Sequence, residues 1–201
     1  RSNTLLTDCT DFVTKEAYKT ARTNIRFSLS GSKGGKKIIV TSASPGEGKT
    51  TTCLNLAIAF AQTDAKVLVI DADLRKPRIY RHLSIEKENG LSDLLCGLIE
   101  TKDAIKHCER HNLDCITSGQ IPPNPAELLS SKEMELLFEE LGAMYDYIFV
   151  GPALLGEFRG FTLRNDEVLL MFATALKDLA VELNVAMFTS TQVNASADDN
   201  K

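Results

Sequence analysis

Short apolar runs alternate along this chain with longer stretches in which apolar residues recur at helical spacing, a pattern typical of an α/β protein. Apolar runs of strand length occupy residues 38–40, 66–73, 113–117, 147–150 and 185–189. The runs at 66–73 and 147–150 show no polar alternation, as expected of strands that are buried on both faces of a sheet. We therefore predict a mostly parallel sheet sandwiched between helices.

Helical periodicity and punctuation define the segments between these strands. Helices are predicted at residues 12–29, 51–61, 90–97, 102–108, 124–142 and 166–183. The start at 124 has a physical reason, because Asn124 can cap the helix, Pro125 suits its first position and Glu127 can reach back. The remaining polar or glycine-rich segments are predicted as a linker at 31–35, a loop at 152–163, a loose N-terminus at 1–11 and a disordered tail at 194–201.

Length, charge and cysteine usage narrow the class of protein. A chain of 201 residues accommodates one domain, which we expect to span residues 1–201. The formal net charge of −4 argues against a general nucleic-acid binder. No apolar run approaches the ~20 residues of a membrane span, and no signal peptide is visible. Five cysteines without a C-x-x-C pair suit reduced thiols, so we expect a cytoplasmic protein.

One group of residues has side chains of the types that bind zinc. His107, Cys108, His111 and Cys115 lie within nine positions, and the two histidines are four residues apart. Cys115, however, belongs to a predicted strand, and structural zinc sites favour tight Cys/His pairs. We expect these four side chains to be ordinary surface and core residues.

The clearest chemical signal is the segment ASPGEGKT at residues 43–50, between the first strand and the next helix. A phosphate chain is held by successive backbone N–H groups and by the positive end of a helix, and glycines let the backbone approach it. The segment follows the phosphate-loop pattern G-x-x-x-x-G-K-[ST], except that Ala43 replaces the first glycine, so we predict a P-loop NTPase fold. The residues expected to bind a nucleoside triphosphate are those of the loop and the helix start: Ser44, Gly46, Glu47, Gly48, Lys49, Thr50 and Thr51.

Two carboxylates follow the second strand. Asp71 and Asp73 end the run at 66–73, and the cations of residues 75–78 come directly after them. A right-handed crossover is expected to place this strand beside the first, with its carboxyl end near the phosphate loop. With Thr50, these aspartates are the candidate ligands of Mg²⁺. Side chains two apart point the same way along a strand, so both face the nucleotide squarely only if the strand has already ended.

Several separated motifs in residues 12–150 resemble the cytoplasmic kinase domain of bacterial tyrosine kinases, the group allied to polysaccharide co-polymerases. Residues 16–26 resemble the family's E-x-x-R-x-x-R assembly helix, with Lys19 in place of the middle arginine. Further motifs lie in the family's order, namely its Walker A at 42–52, its second acidic motif at 67–78, and the segments 90–97 and 117–129. An ordered series of this kind is highly specific.

The chain departs from that family in two places. In the family, the Walker B motif ends an apolar strand with an aspartate, but Gly151 occupies this position in the present chain. The family's C-terminal tyrosine cluster is absent, because the only tyrosines are Tyr18, Tyr80, Tyr145 and Tyr147. The kinase-like part is therefore predicted to end at 150, and residues 151–201 are treated as a divergent C-terminal part.

Residues 164–194 instead resemble the end of a RecA-type replicative helicase domain. The segments 175–185 and 189–194 are similar to its helix and its glutamine sensor motif, in which Gln192 would sense the γ-phosphate. A chimeric chain is one interpretation of this pair of resemblances.

The kinase resemblance implies an ATP-dependent protein-tyrosine kinase linked to capsular or exopolysaccharide synthesis, with ATP or ADP and Mg²⁺ as cofactors. It implies that Lys49 holds the phosphates, that Thr50 and Asp73 serve Mg²⁺ and that Asp71 is the base for the tyrosine hydroxyl, although the two aspartates can exchange these roles. It also implies a protein tyrosine substrate, self-association through Glu16, Lys19 and Arg22, and a membrane-anchored activator at the inner face of the membrane.

Two alternatives remain open from the sequence. A helicase-type ATPase is opposed by the acidic charge and by the extent of the kinase motifs. A nucleotide-binding assembly module without turnover is suggested by Gly151. Losing a partner that supports a metal typically costs ~10–100-fold, so we expect ATP binding to outlast phosphotransfer and Gly151→Asp to restore activity.

Overall fold

The computed structural model describes residues 4–30, 34–42, 48–154 and 168–172. Within these ranges the chain forms a six-stranded sheet in the order β3-β4-β2-β5-β1-β6. The strands are β1 Lys36–Ser42, β2 Val67–Asp71, β3 Ile105–Cys108, β4 Leu113–Ile116, β5 Tyr147–Leu154 and β6 Val168–Phe172. Neighbouring strands are parallel except for β3, which pairs with β4 in the antiparallel sense. The predicted α/β fold with a mostly parallel sheet is therefore present.

The strand order corrects one expectation. β2 does not lie beside β1, because β5 is inserted between them and pairs in parallel with both. Strands β1 and β2, which are consecutive in the chain, are therefore separated in the sheet by β5, which begins about 80 residues after β2. Asp71, the last residue of β2, is paired in register with Gly151 of β5.

Helices cover both faces of this sheet. They are α1 Phe12–Ser28, α2 Lys49–Ala61, α3 Ile79–Leu83, α4 Leu91–Leu95, α5 Thr101–Ala104, α6 Pro125–Leu129 and α7 Lys132–Met144, with a 3₁₀ turn at Glu109–His111. Side chains of α1, α2 and α3 form one core with one face of the strands. Side chains of α4, α6 and α7 form a second core with the other face.

Four predicted elements differ from the structure. Residues 105–108 form β3 rather than the end of a helix, and residues 168–172 form β6 where a long helix was predicted. The predicted helix at 124–142 is two helices, because the Ser131 side chain accepts a hydrogen bond from the backbone of Met134 and caps a new helix. At the first of these helices Asn124 makes no capping bond; its side chain instead donates to Glu127. β5 continues to Leu154, so Gly151 does not end it.

The N-terminal segment is anchored rather than loose from residue 4 onwards. Leu5 and Leu6 are buried in the core that α1 and α2 share. The Leu6 backbone N–H donates to Asn55 Oδ1 on α2 at 2.8 Å, and Arg110 forms an ion pair with Asp8. The first three residues lie outside the described part of the chain, as do the predicted strand at 185–189, the predicted tail at 194–201 and part of the linker at 31–35.

Candidate nucleotide and magnesium site

Helix α2 begins where the phosphate-loop pattern ends. Gly48 precedes its first residue with φ +88°, a conformation that glycine adopts without strain, and Thr52 N–H donates to the Gly48 carbonyl at 2.9 Å. Because the N-cap residue is a glycine, its side chain cannot cap the helix. The first-turn N–H groups lie at the positive end of the helix, which is where a phosphate is expected to bind.

The structure describes only part of the predicted loop. Gly48, Lys49, Thr50 and Thr51 are described, and the last three lie half-buried in the first turn of α2. Ser44, Gly46 and Glu47 lie outside the described residues, so their predicted contacts with phosphate remain predictions.

Asp71 is fully buried at the carboxyl end of β2, on the same face of the sheet as α2. Its carboxylate accepts hydrogen bonds from the backbone N–H groups of Asp73 at 3.2 Å and Ile79 at 3.1 Å. These bonds fasten both ends of the loop that joins β2 to α3. Asp71 is therefore placed to hold this loop in shape.

The environment of Asp71 favours its neutral form. Burial is the main effect and raises its pKa to about 7, against the opposing effect of the backbone N–H groups. The neighbouring thiol of Cys53 on α2 also has a raised pKa, first because it is buried and second because it lies near Asp71. A cation brought close to Asp71 would favour its ionised form.

Asp73 differs from Asp71 because β2 has already ended. It lies in the loop and is partly exposed, and its Oδ1 accepts hydrogen bonds from the backbone of Arg75 at 3.3 Å and Lys76 at 2.8 Å. The side chains of Arg75, Lys76 and Arg78 are exposed beside it. Of the two aspartates, Asp73 is thus the one that solvent and a bound ligand can reach.

Position 151 lies within β5, not at its end, and faces Cys53 of α2. A Cβ on Gly151 would lie 3.2 Å from Cys53 Sγ and 3.4 Å from the Val40 carbonyl oxygen. This spacing is tighter than an ordinary van der Waals contact, so the present backbone has no open space for a larger side chain. An aspartate here would also enter the pocket that Asp71 occupies, since residues 71 and 151 are in register.

The oxygen-rich set of side chains suits Mg²⁺, which prefers carboxylate, hydroxyl and water ligands. Thr50 and Asp73 supply a hydroxyl and an accessible carboxylate at the carboxyl edge of the sheet, whereas the carboxyl group of Asp71, also predicted as a ligand, is buried and bonded to the loop backbone. Among the described residues no three His, Cys, Asp or Glu side chains cluster in a way that could bind a metal on their own. In nucleotide enzymes the phosphates complete the metal's coordination, so a small number of protein ligands fits this class of site.

The residues once considered for zinc have other contacts. His107 Nδ1 lies 2.7 Å from Asp114 Oδ1, and His111 Nδ1 lies 3.1 Å from the Thr7 hydroxyl. Cys108 and Cys115 are buried in the core beside α2.

Sequence reasoning missed Asn55, which is buried on α2 and accepts the hydrogen bond from Leu6. The signal was present, because this asparagine interrupts an otherwise apolar run from residue 53 to 61. A buried amide needs hydrogen-bond partners, so its position predicts a polar contact through the core.

The comparisons with known proteins place these features in a family. Residues 35–182 match the model of a family described as an AAA domain. The chain is similar to tyrosine-protein kinase YwqD of Bacillus subtilis, with 49% identity over 141 residues that cover 70% of this chain and 59% of YwqD. It is 38% identical to tyrosine-protein kinase etk of Escherichia coli over 135 residues, which are 67% of this chain but 18% of etk. The chain thus spans only part of these relatives.

Solved structures agree with this assignment. The kinase domain of the Escherichia coli tyrosine kinase ETK superposes with a TM-score of 0.69 at 31% identity, covering 83% of this chain and 68% of that domain. The septum site-determining protein MinD of Pyrococcus horikoshii, solved with Mg-ADP, gives a TM-score of 0.55 at 26% identity over 68% of this chain and 57% of MinD. The predicted P-loop NTPase fold is confirmed.

The interpretation of residues 164–194 as the end of a helicase domain is not supported. The AAA domain match continues through residue 182 and covers most of that segment. Residues 168–172 form β6 beside β1 of the same sheet. There is accordingly no support for a chimeric chain.

We predict that Asp71 makes the nucleotide-free protein less stable as pH rises from about 4 to 7. Its pKa is about 7 in the folded protein and ~3.9 in an unfolded chain, so in this window the folded state holds a proton that the unfolded state has released. The free energy of unfolding therefore falls with rising pH, by about 3 kcal/mol over the window. Urea denaturation of wild type and Asp71→Asn at pH 5 and pH 8 measures this difference.

The diagnostic quantity is the change in the free energy of unfolding with pH. Asp71→Asn also has a cost in stability that does not vary with pH, because an amide cannot accept hydrogen bonds from both backbone N–H groups. The variant should lack the fall that wild type shows between the two pH values. Equal pH dependence in the two proteins would mean that Asp71 is already ionised in the folded state at pH 5.

We predict that Gly151→Asp, introduced alone, destabilises the protein instead of restoring activity. The new side chain must displace Cys53 and places a second carboxylate near Asp71, which costs about 3 kcal/mol or more. Gly151→Ala should cost about 1 kcal/mol, since only its Cβ meets Cys53, and Cys53→Ala should recover part of the loss in a double variant. Thermal unfolding of the four proteins is the measurement; a fully stable Gly151→Asp would show that its carboxylate has room to reach a metal.

Proposed function

The chain belongs to the AAA domain family and, within it, to the bacterial tyrosine-kinase domains, and we propose that it transfers the γ-phosphoryl group of ATP to tyrosine hydroxyls of proteins. The observation that supports this most directly is the arrangement of Lys49 and Thr50 in the first turn of α2 with Asp71 and Asp73 at the end of β2. Phosphoryl transfer asks a protein mainly for positioning and charge neutralisation. This edge of the sheet offers both.

Each residue has a proposed role. Lys49 and the N–H groups at the start of α2 bind the phosphates, and Thr50 and Asp73 hold Mg²⁺ or its water. When bound, Mg²⁺ neutralises charge that develops on the transferring phosphoryl group. The base role that the resemblance gives first to Asp71 is proposed for Asp73 instead, because Asp73 is the accessible carboxylate and can accept the proton of the tyrosine hydroxyl directly or through water. Asp71, fully buried and bonded to the loop backbone, positions Asp73.

We propose the partners and the place of action from the membership of this family. The substrate is a protein tyrosine, and the cellular role is control of capsular or exopolysaccharide synthesis. In the part of the chain that the structure describes, no helix has the length and apolar character needed to span a bilayer. We propose that the domain acts in the cytoplasm and meets the inner face of the membrane through an anchored activator.

Gly151 motivates a second candidate, an ATP-binding module that drives assembly without turnover. The position that holds the family's Walker B aspartate has neither a carboxylate nor open space for one. Losing such a metal-supporting group costs ~10–100-fold in comparable sites. An experiment must therefore distinguish slow phosphotransfer from the complete absence of phosphotransfer.

We predict that Lys49→Met weakens Mg–ATP binding by about 10-fold or more, because a charge-assisted contact with phosphate is worth about 1.5–3 kcal/mol. Lys102→Met is the matched control, since Lys102 is exposed and pairs with Glu100 on the opposite face of the sheet. Titration with fluorescent ATP measures affinity, and radiolabel transfer to a tyrosine-containing polymer measures activity.

The same experiment separates the candidates. Transfer by wild type that is lost in Lys49→Met supports the kinase, and binding without transfer supports the assembly module. Unchanged affinity in Lys49→Met would remove the phosphate-loop assignment altogether.

We propose that the chain self-associates through α1, but the three residues predicted to mediate this contact do not have the same surroundings in the structure. Glu16 and Lys19 form an ion pair of 2.7 Å on the helix surface. The Arg22 guanidinium instead donates to the Ala59 carbonyl near the end of α2, so it holds the two helices together. Glu16 and Lys19 are the pair available to a second copy.

We predict that exchanging this pair, Glu16→Lys with Lys19→Glu, lowers the mass of the assembly. The exchange keeps an ion pair within the helix but reverses the charges shown to a neighbour, and repeated contacts make up for the ~0–1 kcal/mol of each exposed pair. The control exchanges Lys132 and Glu135, an equivalent pair of 2.8 Å on α7 across the sheet. Light scattering at several concentrations is the readout, and equal masses for both exchanges would exclude this face.

A further inference from the structure

The chain that leaves β4 presents an apolar side chain to solvent at the carboxyl edge of the sheet. Ile121 is 59% exposed, and Pro122 and Pro123 follow it directly. A proline fixes its own φ and restricts the residue before it to extended backbone. Residues 120–123, the proline segment, are therefore stiff although they lie on the surface.

Hydrogen bonds from the start of α4 hold the residues that lead into the proline segment. The backbone N–H of Leu91 donates to the Thr117 carbonyl at 2.7 Å, and that of Ser92 donates to the Ser118 carbonyl at 3.0 Å. The hydroxyl of Ser92, a buried residue, donates to the Gln120 carbonyl at 2.6 Å. These three bonds fix the position of the proline segment against α4.

Two further contacts make this support rigid. Gly119 has φ +75°, and an added Cβ there would lie 2.5 Å from Asp93 Oδ2 and 2.6 Å from Ser92 Oγ. From the other side, Lys106 Nζ on β3 donates to the hydroxyl of Thr117 at 3.1 Å. A turn that is packed this closely and bonded from two elements holds Ile121 in a defined place.

The sheet places the proline segment beside the loop that carries Asp73. Strands β2 and β4 pair in parallel with Ile70 opposite Ile116, so the two chains leave the sheet at the same edge, ~4.8 Å apart. β1, which precedes the phosphate loop in the chain, lies on the other side of β2 in the order β4-β2-β5-β1. The proline segment and the phosphate loop thus flank the Asp73 loop from opposite sides.

This arrangement suits the geometry of phosphoryl transfer, in which the attacking and leaving oxygens lie roughly in line across the phosphorus. The tyrosine oxygen forms a bond to the γ-phosphorus, the bond from that phosphorus to the oxygen of ADP breaks, and the hydroxyl proton passes to Asp73 directly or through water. Since ADP is held at the start of α2, the acceptor approaches from the side of Asp73 that is away from α2. The proline segment lies on that side.

We infer that Ile121 determines substrate specificity in the proposed kinase, by contacting an apolar side chain next to the tyrosine of the protein substrate. The inference rests on the proposed function. Prolines have no backbone N–H to pair with a bound strand, so the contact is made through side chains. A stiff apolar surface covers an apolar neighbour with little ordering cost.

The test compares two peptides that differ only in the residues on either side of a single tyrosine, leucines in one and serines in the other. We expect wild type to phosphorylate the leucine peptide with about 3–10-fold higher kcat/KM, the factor that covering one exposed aliphatic side chain provides. In Ile121→Ser this ratio should fall below about twofold. The KM for ATP should not change, because the groups on α2 are retained.

Met144→Ser is the matched control. Met144 is also an exposed apolar residue, at 44%, but it ends α7 shortly before β5 and so lies at the amino-terminal edge of the sheet. This variant should keep the preference for the leucine peptide. Because each protein is compared with itself on two peptides, a loss of folded protein does not alter the ratio. Equal use of both peptides by wild type, or an unchanged preference in Ile121→Ser, overturns the inference.

Ser92→Ala tests the support of the proline segment. It removes the bond to the Gln120 carbonyl, so it should lower the preference for the leucine peptide and leave the KM for ATP unchanged. If Ser92 acts by positioning Ile121, the double variant with Ile121→Ser should show no further loss. Additive losses would contradict that route.

A binding measurement separates this inference from the proposed function. Fluorescence anisotropy of the two labelled peptides, with protein saturated by Mg–ADP, reports their affinities without turnover. If wild type transfers phosphate to neither peptide, the kinase proposal fails; a leucine preference in binding that Ile121→Ser removes then still supports the contact. Equal affinities of wild type for the two peptides would overturn it.

Discussion

The rest of the structure depends on the burial of helix α2 against the sheet. From Thr52 to Ala61 all its side chains are buried, as expected of a helix that is apolar on every side. Near its end Phe60 meets the rings of Tyr147 and Phe149 on β5, with centroids 4.5 and 5.3 Å apart. The helix cannot slide along the sheet without breaking these contacts, so packing at one end fixes the phosphate-binding groups at the other.

The same close packing determines what the carboxyl edge of the sheet can accommodate. Cys53 fills the space in front of Gly151 and lies near Asp71. An acid at position 151 and a close α2 therefore compete for one volume, and in this chain the helix occupies it. The departure at 151 is thus a coordinated feature of strand and helix, in which a small residue on β5 matches a thiol on α2.

Local pattern was sufficient for some elements and insufficient for others. The long periodic helix α1 and the apolar strands β1, β2 and β5 were predicted because their signals are strong over their own length. β3 was missed because four residues at an antiparallel edge have no distinct period. The position of β5 between β1 and β2 depends on pairing with residues about 110 and about 80 positions earlier, which no local pattern encodes.

The functional residues divide in the same way. The spacing of Gly48, Lys49 and Thr50 predicts their placement at a helix start, because the pattern itself describes the local backbone. The different environments of Asp71 and Asp73 were not predictable, since they depend on where β2 ends and on which backbone N–H groups turn back toward it.

These two aspartates show how the fold divides the work of the site. A carboxylate bonded to backbone N–H groups in the core is costly to move, because each bond it releases leaves a buried donor without a partner. Asp71 is of this kind and is suited to holding the loop. Asp73 bonds only to the loop next to it and remains partly exposed, so it can exchange water for a ligand at low cost. Positioning therefore falls to the buried groups on α2 and β2, and direct contact with nucleotide, metal and substrate falls to the groups at their ends.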